Sequence, residues 1–156
     1  MHIERCVKPA FTVIGKEGCT RDGDGFIPKL WQEANAHFDE IAPLAKRNAD
    51  GSFAGFWGAM SDLSHSFRPW TDSFSQGLYL AGAECLDGAD APAGWTKWVV
   101  PGFTYLRVES DSPDAFQQML EYLERQGLPL AGAVHDFTDP VSGKSYMYFP
   151  IERQIE

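Results

Sequence analysis

The chain has 156 residues, 44% of them hydrophobic and 22% charged, the size and composition of one soluble domain with a core of its own. Its formal net charge is −9, and the 13 basic residues form no run, which argues against direct nucleic-acid binding because phosphate contacts need clustered Lys and Arg. The acidic balance mildly favours a cationic small molecule or a basic partner instead.

The first element in the chain is Pro9–Glu17, PAFTVIGKE. It is rich in β-branched and aromatic residues and follows a proline, so it reads as a strand. The polar loop CTRDGDG follows. Its RDGDG lacks the third acidic position and the closing Glu of a calcium-binding EF-hand loop, so it is an ordinary turn. Ile27, Leu30, Trp31, Ala34, Phe38 and Ile41 then recur at helical spacing on one face. Pro28 suits the first turn of that helix and Pro43 suits its end.

Two strand candidates come next, Phe53–Ser61 and Leu78–Leu86, joined by SFRPWTDSFSQG. The stretch Asp87–Gly94, DGADAPAG, reads as a linker. Beyond it the pattern starts again. Pro101–Glu109, PGFTYLRVE, shares Pro, Phe, Thr and Glu with Pro9–Glu17 at a constant offset of 92 residues. A second helix is expected from a Ser112 cap, with Pro113 and Asp114 in its first turn. Phe116, Met119, Leu120 and Leu123 form its apolar face, and Gly127 is its stop. Strand candidates Ala133–Phe137 and Ser145–Ile151 close the chain, joined by the turn TDPVSGK. The fold class is therefore α+β: two pseudo-symmetric β-α-β-β repeats, about 5–87 and 95–152, within one domain. Antiparallel sheets carry the helices on one face, and a ligand cavity is expected where the repeats meet.

Little in the chain suggests a metal, a cofactor or a membrane. The three cysteines show no CxxC spacing, so neither a disulfide framework nor a zinc site is expected, and a cytoplasmic location fits. His2, His37, His65 and His135 fit no metal-ligand spacing. No P-loop, GxGxxG or GxSxG occurs, and no apolar run approaches the roughly 20 residues of a membrane span. Cofactors, metals and membranes are thus not expected. A Cys–His nucleophile pair stays open from sequence, although Cys85 sits in an apolar stretch where cysteines are mostly inert packing.

The residue that stands out is Glu84. It is a carboxylate inside LYLAGAECL, Leu78–Leu86, a stretch that otherwise reads as buried strand. Desolvating it costs several kcal/mol unless something answers the charge. An ion pair with a nearby Lys or Arg, emergence into solvent and a cationic ligand are all compatible with the pattern. Aromatic residues make up 13% of the chain, more ring area than a small core needs, so some rings are expected to line a cavity. Trp31, Trp57, Tyr79, Trp98, Tyr105, Tyr146 and Tyr148 are candidates, with Phe56, Trp95 and Phe137 beside them.

Six stretches, taken in order, resemble the gyrase-inhibitor-like (GyrI-like) effector-binding domain. That domain is the ligand-sensing part of AraC- and MerR-type multidrug-responsive regulators. The stretches are KPAFTVIGKEG, IPKLWQEA, FWGAMSD, YLAGAEC, VPGFTYLRVE and YFPIE, and together they span roughly Arg5 to Glu152. The resemblance implies a two-repeat fold with a pocket at the junction. It implies that Glu84 is the pocket glutamate, facing cationic aromatic ligands, with Trp31 and Tyr79 as ring walls. Where the family's last strand often carries a second Glu, four residues before Pro-Ile, this chain has Tyr146.

The leading expectation is binding of a small hydrophobic molecule, a lipophilic cation or aromatic, for sensing or sequestration. Glu84 supplies the counter-charge; Trp31, Tyr79, Trp57, Trp98, Tyr105, Tyr146 and Tyr148 supply rings. The alternative is a hydrolase of strained, cyclopropane-type electrophiles, as stand-alone members of the family include, with Glu84 and Tyr148 (or Tyr79) as catalytic groups. A third reading is a protein that inhibits a topoisomerase by direct contact. The chain begins directly with its first strand, so a stand-alone module is expected, as monomer or homodimer, without a DNA-binding segment.

Overall fold

The computed structural model describes residues 2–154. The strands among them are β1 (Ile3–Lys8), β2 (Phe11–Cys19), β3 (Phe56–Ser61), β4 (Leu78–Cys85), β5 (Thr96–Val100), β6 (Phe103–Glu109), β7 (His135–Thr138) and β8 (Ser145–Arg153). The helices are α1 (Phe26–His37), the four-residue α2 (Thr71–Phe74) and α3 (Ala115–Gln126). The β-α-β-β core of each repeat is present, in β2-α1-β3-β4 and in β6-α3-β7-β8. Each core is preceded by one further strand, β1 or β5, that the sequence pattern left unassigned.

All eight strands join one antiparallel sheet in the order β1-β6-β8-β7-β3-β4-β2-β5. Each repeat supplies three neighbouring strands and lends its first strand to the other repeat's outer edge. Thus β1 pairs with β6 and β5 pairs with β2. The pseudo-twofold axis runs between β3 and β7, which pair Trp57 with Phe137 and Gly58 with Asp136. Strands β5 and β6 stand six places apart in that order yet are joined only by Pro101–Gly102. A flat sheet would separate them by about 29 Å, whereas the link reaches about 10 Å. The sheet must therefore curl until its inner face closes on itself.

That curl explains why β4 is buried along its whole length. Its even-numbered residues face inward, where Leu78 and Leu80 pack with Phe11, Trp57, Trp98 and Tyr105 in a cluster drawn from both repeats. Its odd-numbered residues, Tyr79 to Cys85, face α1 and pack on Ile14, Ala34 and Trp31. Helix α3 covers the second repeat through Met119 and Leu123, over Val108, Met147 and Phe149. Each large inner ring taken out of water stabilises the fold by about 3 kcal/mol. Gly82 lies opposite Gly15, and a Cβ there would overlap the β2 backbone. The small residues around Glu84 therefore give clearance to the neighbouring strand.

The helix stops follow the sequence, but α3 begins later than a Ser112 cap predicts: Asp114 is its N-cap, and the Ser112 hydroxyl accepts the Asp114 N–H at 3.2 Å ahead of the helix. Gly127, at φ 66°, stops α3. The six-residue apolar stripe of the first helix continues past His37 as two short 3₁₀ turns, Phe38–Glu40 and Ala42–Leu44, because Pro43 cannot extend a regular helix. The β3–β4 connection is anchored at Asp62, whose carboxylate accepts hydrogen bonds from the hydroxyls of Ser61, Ser64 and Ser66. Burial alone would raise its pKa, but these bonds hold it well below the usual carboxylate range. Farther along this segment, Trp70 donates from its indole to the Leu78 carbonyl at 3.0 Å. Trp70 and Phe74 are thereby laid over the junction of the repeats. No helix among the described residues is long and apolar enough to cross a membrane.

Candidate functional site

Two cavities lie on the helix-covered face at the junction. One, of about 300 Å³, is walled by Met60, Trp70, Phe74, Phe116, Val134 and Met147. The other, of about 310 Å³, is bounded by Trp31, Gly58, Tyr79, Thr138 and Tyr146. Asp136 lines both.

The sheet register puts Asp136 there. It sits on β7 between Gly58 of β3 and Met147 of β8, so all three project toward the helices. Gly58 leaves the space above it empty, and the phenol of Tyr79 fills that space; a Cβ on Gly58 would overlap the Tyr79 hydroxyl. Trp31, reaching down from α1, donates its indole N–H to the Tyr79 oxygen at 2.9 Å. The Tyr79 hydroxyl neighbours the Asp136 carboxylate, and each shifts the other's titration. Trp31, Tyr79 and Asp136 thus line up from helix to sheet.

Burial pushes the Asp136 carboxyl up to about 6, opposed only by the Tyr79 hydrogen bond. Burial, and then the nearby Asp136 charge, push the Tyr79 phenol far above its usual range. Asp136 is half-buried because its carboxylate borders the cavities. Among the described residues no Lys, Arg or His forms an ion pair with it. It is a carboxylate with no partner cation, set in an apolar wall.

Glu84 occupies the opposite situation. It lies on the inner face, 6% exposed, and its charge is answered from within the chain. Lys8 Nζ is 3.2 Å from each of its carboxylate oxygens. Lys46 Nζ approaches at 3.6 Å, and the Trp57 indole donates to Oε1 at 3.0 Å. Of the three possibilities raised by LYLAGAECL, the structure shows the internal ion pair.

The candidate residues therefore divide between two faces. Trp31 and Tyr79 join Asp136 on the helix side; Tyr146, opposite Phe137 in the register, packs against the inner cluster and only borders the Trp31–Tyr79 cavity, with the Arg107 guanidinium 4.2 Å from its ring centre. Trp57, Trp98, Tyr105 and Tyr148 lie on the inner side with Glu84. Trp57 packs on Phe11, Phe137 and Tyr148 at centroid distances of 4.8, 4.7 and 4.9 Å. Trp98 donates its indole N–H to Glu17 at 2.6 Å. The Tyr148 hydroxyl accepts from Arg107 at 3.4 Å; no hydrogen bond joins it to Glu84 among the described residues. Tyr105 is buried and its hydroxyl has no partner there, and the same holds for His135 Nε2. Burial lowers the His135 pKa to about 3, so its ring is neutral and accepts the Met60 N–H at Nδ1, at 3.0 Å.

Asp136 escaped the sequence reading, although the signal was of the same kind as for Glu84. It is a lone carboxylate inside the strand candidate Ala133–Phe137. Lys8 and Lys46 had no signal, since their approach to Glu84 depends on how the sheet closes.

No family model and no curated protein matches the chain by sequence. Solved structures do match by shape. The structure of SAV2435 bound to tetraphenylphosphonium superposes with a TM-score of 0.66 at 17% identity, over 97% of this chain and 94% of that one. The C-terminal domain of EcmrR gives 0.67 at 15% identity, over 98% of each chain. A hydrolase from Listeria innocua gives 0.56 at 13% identity, over 96% of this chain and 91% of that one. Such a range shows that the architecture does not choose a function, which must be argued from the site. At these identities the likeness is one of fold: the chain has the GyrI-like fold that its motifs lead one to expect.

Proposed function

We propose that the chain binds lipophilic organic cations in the two helix-face cavities, with Asp136 as the counter-charge. The observation that carries this reading is an unpaired carboxylate shared by an apolar cavity, walled by rings and thioethers, and a neighbouring cavity of mixed polarity. An apolar cation entering there loses water over its whole surface but gains one fixed opposite charge and several ring and thioether walls. Each ring face near the cation adds about 0.5–2 kcal/mol, and Met60 and Met147 adapt their shape to the ligand. Glu84 is poorly suited to the role, because two ammonium groups already face it. SAV2435, of the same fold, was solved with tetraphenylphosphonium, a cation of this chemical class.

The proton is linked to the ligand. A bound cation favours the ionised carboxylate, and Asp136 in the empty site titrates at about 6. Above that pH the site is ready. Below it, a proton must leave before the cation binds, so affinity falls by up to about tenfold per pH unit.

Tetraphenylphosphonium and tetraphenylborate have nearly the same shape and opposite charge. Titrated against tryptophan fluorescence at pH 7.5, the cation should quench with a micromolar dissociation constant and the anion should bind at least about tenfold more weakly. Equal binding of the two ions would remove the counter-charge from the account.

A further inference from the structure

The two helix-face cavities share one anion. Asp136 lines both. A single carboxylate answers a single cation, so the cavities do not each hold a charged ligand of their own. The sheet also sets them end to end. Alternate residues of a strand share a face, and Val134, Asp136 and Thr138 follow one another in this way along β7 and the residue before it. Val134 lines the apolar cavity and packs in the α3 cluster. Thr138 lines the mixed one. Strand β8 repeats the order, with Met147 opposite Asp136 and Ser145 opposite Thr138. The Thr138 and Ser145 hydroxyls lie 3.2 Å apart, and Ser110 lines the same cavity. Apolar wall, carboxylate and hydroxyls thus succeed each other along one line, in steps of about 6–7 Å.

We propose that one ligand spans both cavities, and that it is a secondary ammonium with an aryl arm and a hydroxyl arm. The aryl group lies among Met60, Val134 and Met147, the ammonium at Asp136, and the hydroxyl at Thr138 and Ser145. The inference rests on Asp136 as the counter-charge and adds the shape and polarity of what it holds. A secondary ammonium carries two arms and keeps two N–H donors for the carboxylate, and such charge-assisted bonds are the strong ones. Tetraphenylphosphonium has no N–H and four identical apolar arms, so it leaves the hydroxyl end of the line to water.

A matched pair of amines tests it. In 4-(3-phenylpropylamino)butan-1-ol both arms, extended, match the strand step. In N-(3-phenylpropyl)pentylamine a methyl group replaces the hydroxyl. The hydrophobic effect alone favours the methyl compound. By isothermal titration at pH 7.5 the wild-type protein should instead bind the alcohol at least about threefold more tightly, with one ligand per chain. The double variant Thr138→Val, Ser145→Ala should reverse that preference. Asp136→Asn should weaken both amines at least about tenfold. If Asp136→Asn weakens both but wild type prefers the methyl compound, or takes up two ligands per chain, the spanning ligand is overturned and the counter-charge stands. If Asp136→Asn binds both amines as wild type does, the spanning ligand and the counter-charge fall together.

Discussion

Asp136→Asn should make the protein more stable at pH 7, by about 1–2 kcal/mol. The folded chain holds the Asp136 proton up to about pH 6, whereas the ordinary value is 3.8. Below about pH 4 both states are protonated and the carboxyl costs nothing. As pH rises from 4 through 6 the unfolded chain releases its proton first, so the folded state loses stability across that window. Two pKa units amount to about 3 kcal/mol at full burial, and contact with the cavities reduces this. Asparagine keeps an oxygen for the Tyr79 hydroxyl and has no charge to desolvate. Urea denaturation at pH 4 and pH 7.5 checks the result: the advantage of the variant should be small at the lower pH and present at the higher. A variant less stable than wild type at pH 7.5 would mean that a cation answers Asp136 after all. A carboxylate that weakens the fold fits a site kept for a ligand.

Glu84→Ala should act in the opposite direction. The Lys8 and Lys46 ammonium groups converge on this carboxylate at 3.2 and 3.6 Å, and the Trp57 N–H points at it. Its removal leaves two like charges facing each other and a buried donor without an acceptor. The lysines are one-quarter and about one-third exposed, so water screens part of the loss, and the expected cost is about 3 kcal/mol at pH 7. Equilibrium urea unfolding measures it. A change within 0.5 kcal/mol, about that of an ordinary surface substitution, would mean that the cluster behaves as a surface ion pair. Two carboxylates in apolar strands thus carry opposite signs, one bound into the fold and one held apart from it.

The repeat was legible because it rests on local patterns. Hydrophobic spacing located both long helices, the Gly127 stop and the six strands of the two cores. The swap of β1 and β5 was not legible, because each pairs with the other repeat, and nothing local in Ile3–Lys8 or Thr96–Val100 names a partner. The same swap closes the sheet and brings Lys8 to Glu84. Desolvation cost marked Glu84 as anomalous but could not say which cation would meet it, since that cation lies 76 residues away. Trp31 and Tyr79 were found through motif order, and the structure joins them to each other. Their common partner Asp136 was hidden in a four-residue strand, too short for its alternation to show.

The central claim is that the ligand-facing charge is Asp136 and not Glu84. The most direct measurement is tetraphenylphosphonium affinity at pH 7.5 for Asp136→Asn and Glu84→Gln, each first shown to be folded by circular dichroism. Asp136→Asn should bind at least about tenfold more weakly than wild type, a loss of about 1.4 kcal/mol or more, while Glu84→Gln should stay within about threefold. The reverse pattern, with affinity lost in Glu84→Gln and kept in Asp136→Asn, would contradict the account and return the counter-charge to the inner face.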